Sequence, residues 1–224
     1  MIASGAGGKA IEQVRHAAKM AGVPVQFVPT KKLDQTAPGV THQGVVAIAA
    51  AIAYVDLDTM LSGIAPERDD VVDRKPVIVA LDEIEDPHNF GAILRSAVAA
   101  GASGAIVPER RMAPLSATTV KASAGTADRI PIARVGNLAD ALMQCKERGY
   151  WVAGLEMDAE KTVWTADWDR PLVLVIGSEG RGMRPRVRAL CDFLVAIPMR
   201  GPAESLNASV AAGVTLFAAI RDRA

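Results

Sequence analysis

A chain of 224 residues suits one large domain, or a small module followed by a medium one. Half of its residues are apolar but only 4% are aromatic, so a buried core has to be built from Ala, Val, Ile and Leu. Lys+Arg and Asp+Glu each total 25, which excludes a protein that grips nucleic acid by bulk positive charge; any RNA contact must come from a local basic patch.

Cys145 and Cys191 stand far apart without metal-ligand spacing. They read as small buried hydrophobes in a reducing cytoplasm, with no disulfide and no metal expected. The opening stretch has no charged segment followed by an apolar run, so no signal peptide is expected. The longest apolar run, 45–55, is too short to span a bilayer. A soluble, cytoplasmic protein with no membrane partner follows.

Taken in chain order, Ile11, Val14, Ala17 and Ala18 recur at helical spacing until Gly22 and Pro24 end the helix. Residues 23–28 (VPVQFV) read as a strand, Thr30 as the cap of a short helix, and 44–55 (GVVAIAAAIAYV) as a buried strand. Residues 56–75 lose periodicity and concentrate charge, the signature of a linker. Beyond Pro76, strands are expected at 77–84, 104–108, 129–135, 151–157, 172–177 and 193–198. Helices are expected at 89–100, 137–148, 184–191 and 205–221. Strands alternating with amphipathic helices predict an α/β fold, a parallel sheet covered on both faces, with chemistry in the loops after the strands.

Three of those loops carry more than a fold requires. In the first, 86–91 (DPHNFG), Asp86 can cap a helix whose buried face is Phe90, Ile93, Leu94, Ala97 and Val98. Asn89 and Arg95 fall off that face, either as ordinary solvent-facing residues or as the border of a cleft. The second, 177–182 (GSEGRG), places three glycines after a strand, where backbone N–H groups can approach a ligand, but without a dinucleotide or P-loop register. In the third, 197–207 (IPMRGPAESLN), Ser205 can cap the last helix, whereas Asn207 has no such explanation. Arg181, Arg184, Arg186, Arg188 and Arg200 face only Glu179 and Asp192 in this stretch, an excess that suits either phosphate contact or a solvated helix face.

Together and in this order, residues 86–97 (DPHNFGAILRSA), 175–182 (VIGSEGRG) and 197–213 (IPMRGPAESLNASVAAG) resemble the SpoU (TrmH-type) family of the SPOUT methyltransferase superfamily. Residues 121–132 (KASAGTADRIPI) look like a further loop of that family. The resemblance covers 76–224 and implies an RNA ribose 2'-O-methyltransferase with S-adenosylmethionine as cofactor, a C-terminal trefoil knot, and a homodimer that completes its site across the interface. It implies a cofactor pocket lined by Gly177, Ile197, Met199, Ser205 and Leu206. It further implies that Glu179 supports the site, and that Arg95, Asn89, Ser205 and Asn207 handle the ribose and its phosphate. Arginine stays protonated in proteins, so Arg95 is read as holding the 3'-phosphate and stabilising the alkoxide, with Ser205, Asn207 and water relaying the proton. Ala208 stands where a valine is common in the third motif.

Residues 1–55 resemble the ribosomal-protein-like RNA-binding domain that precedes the catalytic domain in many members. VPVQFV…HQGVVAI matches its second half, and the usual strand and helix before Ile11 are not expected here, so that either the start is trimmed or the module is incomplete at its start. This organisation ranks ribosomal RNA ahead of transfer RNA, with a guanosine of the large subunit as target. The alternatives are a transfer-RNA 2'-O-methyltransferase and a catalytically silent RNA-binding assembly factor. A nicotinamide-dependent oxidoreductase would instead need a glycine fingerprint where this chain has DPHNFG.

Overall fold

The computed structural model describes residues 1–48, 52–221 and 223, and divides into two compact units, 1–51 and 52–224.

In the first unit, β1 (Ile2–Ala3), α1 (Lys9–Met20) and β2 (Phe27–Val28) form a small βαβ turn with the strands parallel, followed by α2 (Thr30–Thr36). A strand therefore stands before Ile11, where the sequence reading placed none. Thr30 is the first helical residue and not a cap, because Pro29 occupies that position. The strand expected at 23–28 shortens to its last two residues. Among the described residues of this unit only Ile2, Ala3 and Leu33 are buried, and α1 buries no residue at all.

The second unit opens with a correction. Residues 56–75, expected to be a linker, fold into α3 (Leu57–Ile64) and α4 (Arg68–Arg74). Leu57, Met60, Leu61 and Val71 are buried, Asp56 accepts from the Thr59 amide (3.2 Å), and the charged residues stay on the solvent side. Each helix is only about two turns long, too short for its period to show through the charge. The strand expected at 44–55 is likewise absent from its described parts. Val45 bridges Ile2 and Val55 bridges Ala133, each within its own unit, while 49–51 lie outside the described residues.

The remaining elements follow the expected alternation: β3 (Val77–Asp82), α5 (Pro87–Ala99), β4 (Gly104–Pro108), α6 (Ala117–Ala122), β5 (Ile132–Val135), α7 (Leu138–Glu147), β6 (Trp151–Leu155), β7 (Lys161–Thr162), β8 (Leu172–Gly177), α8 (Pro185–Ala189), β9 (Phe193–Ala196) and α9 (Ala208–Ile220). Helix α6 and strand β7 were not foreseen. All strand pairs are parallel, in the order β5-β4-β3-β8-β6-β9-β7.

Residue alternation along β3 shows why both faces are covered. Val77, Val79 and Leu81 pack with Phe90, Ile93 and Leu94 of α5 and Ala212 and Leu216 of α9. Ile78 and Ala80 pack with Leu61 of α3, Leu142 of α7 and Val187 of α8 on the other face. The two latest strands are inserted between earlier ones: β8 between β3 and β6, and β9 between β6 and β7. The chain leaves β3 and β8 toward opposite edges of the sheet, and such a switch point opens a crevice at the carboxyl ends of the strands.

Candidate active site

Asp86 caps α5 by accepting from the His88 amide (2.9 Å), with Pro87 at the first helical position. The cap sets Asn89 in the first turn. Gly91 permits the close approach of α6, since a Cβ there would stand 2.4 Å from the Thr119 carbonyl oxygen. Arg95 is exposed on the outer face of α5 and has no hydrogen bond or ion pair among the described residues.

After β8 the chain folds tightly back on itself. Ser178 and Gly182 exchange both main-chain hydrogen bonds (3.1 and 2.9 Å), with positive φ at Gly180 (77°) and Gly182 (63°). Gly177 forms the floor: a Cβ on it would lie 2.3 Å from the Gly182 carbonyl carbon and 2.5 Å from the Met183 nitrogen. The turn lifts Glu179 to its tip.

There Glu179 becomes the meeting point of three loops. Its Oε1 accepts from Asn89 Nδ2 (3.1 Å), from Asn207 Nδ2 and from the Ala208 amide (3.0 Å). Asn207 Nδ2 also reaches Asn89 Oδ1 (2.9 Å). The turns that follow β3, β8 and β9 thus touch at one carboxylate, the convergence the motif spacing anticipates.

Asn207 has a second task. Its Oδ1 accepts from the Ser209 amide (3.0 Å) and hydroxyl (2.6 Å), so Asn207 caps α9 and the helix begins at Ala208, not at 205. Ser205 is not the cap; it is exposed and without a hydrogen bond among the described residues. The segment leading to it is unusual. From 197 to 206 no main-chain N–H or C=O has a protein partner among the described residues. Ile197 and Leu206 are half-buried and Met199 is exposed. A ten-residue run of open donors and acceptors can receive a ligand rich in both, a nucleoside for example.

The arginine excess is largely answered by carboxylates distant in sequence. Arg181 pairs with Glu85 (3.5 Å), Arg184 with Asp82 (2.7 Å), Arg186 with Asp140 (2.8 Å) and Arg188 with Glu156 (3.4 Å). Of the five, Arg200 alone has no such pairing among the described residues. Arg200 and, from the first loop, Arg95 are left as cations without an ion pair among the described residues.

The sequence reading missed the acids behind these pairs. Asp82 is fully buried and Glu83 nearly so, the latter at φ +60°. Glu156 follows β6 and faces Gly182. A carboxylate ending a strand buried on both faces was the available signal, since such a group persists only when paired. The shallow hollow bordered by Met60, Ile64, Ser103 and Pro131 lies at the other end of the strands.

A doubly covered parallel sheet whose loops converge at its switch point defines an α/β protein that binds its ligand beyond the strand ends. Residues 76–217 match the SpoU rRNA Methylase family, and residues 1–55 match the family described as RNA 2'-O ribose methyltransferase substrate binding. The chain belongs to the SpoU rRNA methylase family. It is 48% identical over 212 residues to YacO of Bacillus subtilis, a protein named for the TrmH family of tRNA/rRNA methyltransferases, covering 95% of this chain and 83% of that one. It is 41% identical over 223 residues to the 23S rRNA (guanosine-2'-O-)-methyltransferase RlmB of Xanthomonas campestris, covering 100% and 88%. Among solved structures, an AdoMet-bound rRNA methyltransferase from Sinorhizobium meliloti superimposes with a TM-score of 0.75 at 33% identity, covering 94% of this chain and 77% of that one. Among the described residues no helix is long and apolar enough to cross a membrane.

Proposed function

We propose that this protein transfers a methyl group from S-adenosylmethionine to a ribose 2'-hydroxyl of RNA, with a guanosine of large-subunit ribosomal RNA as its target. The observation that carries the reading is the single carboxylate of Glu179, which holds the loops after β3, β8 and β9 together beside the open main chain of 197–206. The guanosine target rests on the name of the RlmB relative.

The cofactor fits what the chain offers. Unpaired main-chain groups at 197–206 suit an adenine edge and an amino-acid end, and Ile197, Met199 and Leu206 offer apolar contact. When bound, S-adenosylmethionine supplies a methyl group already activated as a sulfonium. The protein's share is therefore alignment and charge stabilisation. Arg95, exposed and unpaired among the described residues, holds the phosphate beside the target ribose and stabilises negative charge developing on its 2'-oxygen. Ser205, with Asn207 and water, takes the departing proton. Asn89, Glu179 and Asn207 keep the two sides in register.

Three further features belong to this reading. The outer face of α9 leaves Val210 and Phe217 about half exposed on a helix with no charged residue, which supports a homodimer packed on that face. Insertion of β8 and β9 between earlier strands supports a threaded, knotted C-terminus. In the unit 1–51, Arg15 over the Phe27 ring (5.5 Å) with Lys19 and His16 alongside supports RNA contact by stacking and charge. A ribosomal RNA substrate makes the enzyme cytoplasmic.

The test is transfer of tritiated methyl from S-adenosylmethionine to total RNA, followed by mapping of the modified ribose. A modified guanosine in large-subunit RNA is expected. Modification confined to transfer RNA would move the target, and cofactor binding with no transfer to any RNA would favour a silent assembly factor. Single-turnover rates of Arg95→Lys and Arg95→Ala probe the role of that side chain: equal, near-wild-type rates for both would remove it from the chemistry.

A further inference from the structure

Asp82 is the last residue of β3 and has no exposed surface. Both of its oxygens are taken by one residue 102 positions later. Oδ2 accepts from the Arg184 main-chain amide (2.8 Å), and Oδ1 accepts from Arg184 Nε (2.7 Å) and faces its terminal nitrogen at 2.7 Å. Removing a carboxylate fully from water is costly, and a fold keeps it where the interaction fixes something in place. What it fixes is specific. Asp82 is the register partner of Gly177, and Arg184 directly follows the Gly182–Met183 peptide that presses on Gly177.

The loop 178–184, closed on itself by the Ser178–Gly182 pair and linked to Glu85 through Arg181, has two further anchors. Glu179 ties its tip to α5 and α9, and Asp82 ties its exit to β3. Glu83 adds a second acid on the same guanidinium at 3.7 Å, from a backbone at φ +60° that L-residues rarely adopt. The Ser178–Gly182 pair closes the turn on itself, but among the described residues nothing other than Asp82 hydrogen-bonds the exit of the loop to β3.

The geometry points to Asp82 as a positioning residue for the cofactor: acting through Arg184, it holds the Gly182–Met183 peptide against Gly177 and so shapes the floor on which S-adenosylmethionine rests. This rests on the reading of 177–206 as the cofactor site. Arg184 is committed to this task and is not part of the RNA-contacting surface.

The experiment measures S-adenosylmethionine affinity by calorimetry and RNA affinity by filter binding, each beside a thermal melt, on the full chain. In Asp82→Asn the cofactor Kd rises roughly tenfold, the size of one lost charge-assisted contact, while RNA affinity stays within about twofold. In methyl transfer the KM for the cofactor rises and kcat at saturation changes little. Arg184→Lys, which keeps the charge and the main-chain amide, retains more affinity than Arg184→Ala. The double variant Asp82→Leu with Arg184→Met removes both charges together, so it recovers the melting temperature and keeps the weakened cofactor binding. It carries the test even where Asp82→Asn fails to fold. A double variant that binds the cofactor as tightly as the wild type overturns the proposal and leaves the pair a purely stabilising role. Failure of the wild-type chain to bind S-adenosylmethionine overturns the underlying site reading, and the proposal with it.

Discussion

Replacing Glu179 by Ala leaves Asn89 Nδ2, Asn207 Nδ2 and the Ala208 amide without their common acceptor. Hydrogen bonds to a charged acceptor are each worth about 1.5–3 kcal/mol when shielded from water. Glu179 is exposed, so water recovers much of that and the three together come to about 2–3 kcal/mol. The α9 cap survives, because it is made by Asn207 Oδ1 and not by the carboxylate. The loss therefore falls on the register of the three loops and not on the core. Single-turnover methyl transfer should drop roughly 30- to 150-fold, and the melting temperature should fall by up to roughly 5–10 °C. Glu179→Gln keeps an acceptor oxygen in place and should sit between wild type and Ala. A Glu179→Ala rate within about threefold of wild type, measured on a folded protein, would refute the idea that this carboxylate assembles the site.

Other outcomes follow from local packing and titration. Gly91→Ala drives a Cβ to 2.4 Å from the Thr119 carbonyl and 2.9 Å from the Ser123 nitrogen, atoms of the α6 backbone that cannot swing aside. A cost of about 2–3 kcal/mol, or roughly 5–10 °C in a thermal melt, is expected. Among the described residues the buried Tyr150 hydroxyl has no partner, so Tyr150→Phe should be neutral or raise the melting temperature slightly. Burial pushes the thiols of Cys145 and Cys191 up to about 12. At pH 8 only about one thiol in 10,000 is then thiolate, and a thiol-specific reagent should label the native protein slowly and both cysteines promptly in denaturant. The same shift has a sign for stability. The unfolded chain loses these protons first, so stability held below about pH 9 declines as the pH rises toward 12, which melts taken across that range will show. Phe217→Glu on the outer face of α9 tests the proposed homodimer: sedimentation should show dimers for the wild type and monomers for the variant, with the fold intact.

Periodicity alone established the catalytic unit's alternation of strands and helices, because β3, β4 and β8 are buried on both faces and so read as unbroken apolar runs. The three motifs brought Asn89, Glu179 and Asn207 to notice, and only Asn207 lacked an ordinary structural explanation, which the structure supplies as the cap of α9. Sequence also went astray where elements are short: α3 and α4 hid behind surface charge, and the cap of α9 fell on Asn207 and not on Ser205. Only the tertiary structure decided that β8 enters between β3 and β6, an order that no local pattern encodes. That insertion sets Glu179 against Asn89, ninety residues apart, and seats Arg184 on Asp82. The arginines looked like an unbalanced basic patch because Coulomb pairing acts through space: their acids, Asp82 at the end of β3, Asp140 on α7, and Glu85 and Glu156 in loops, become neighbours only when the sheet closes around its last strands.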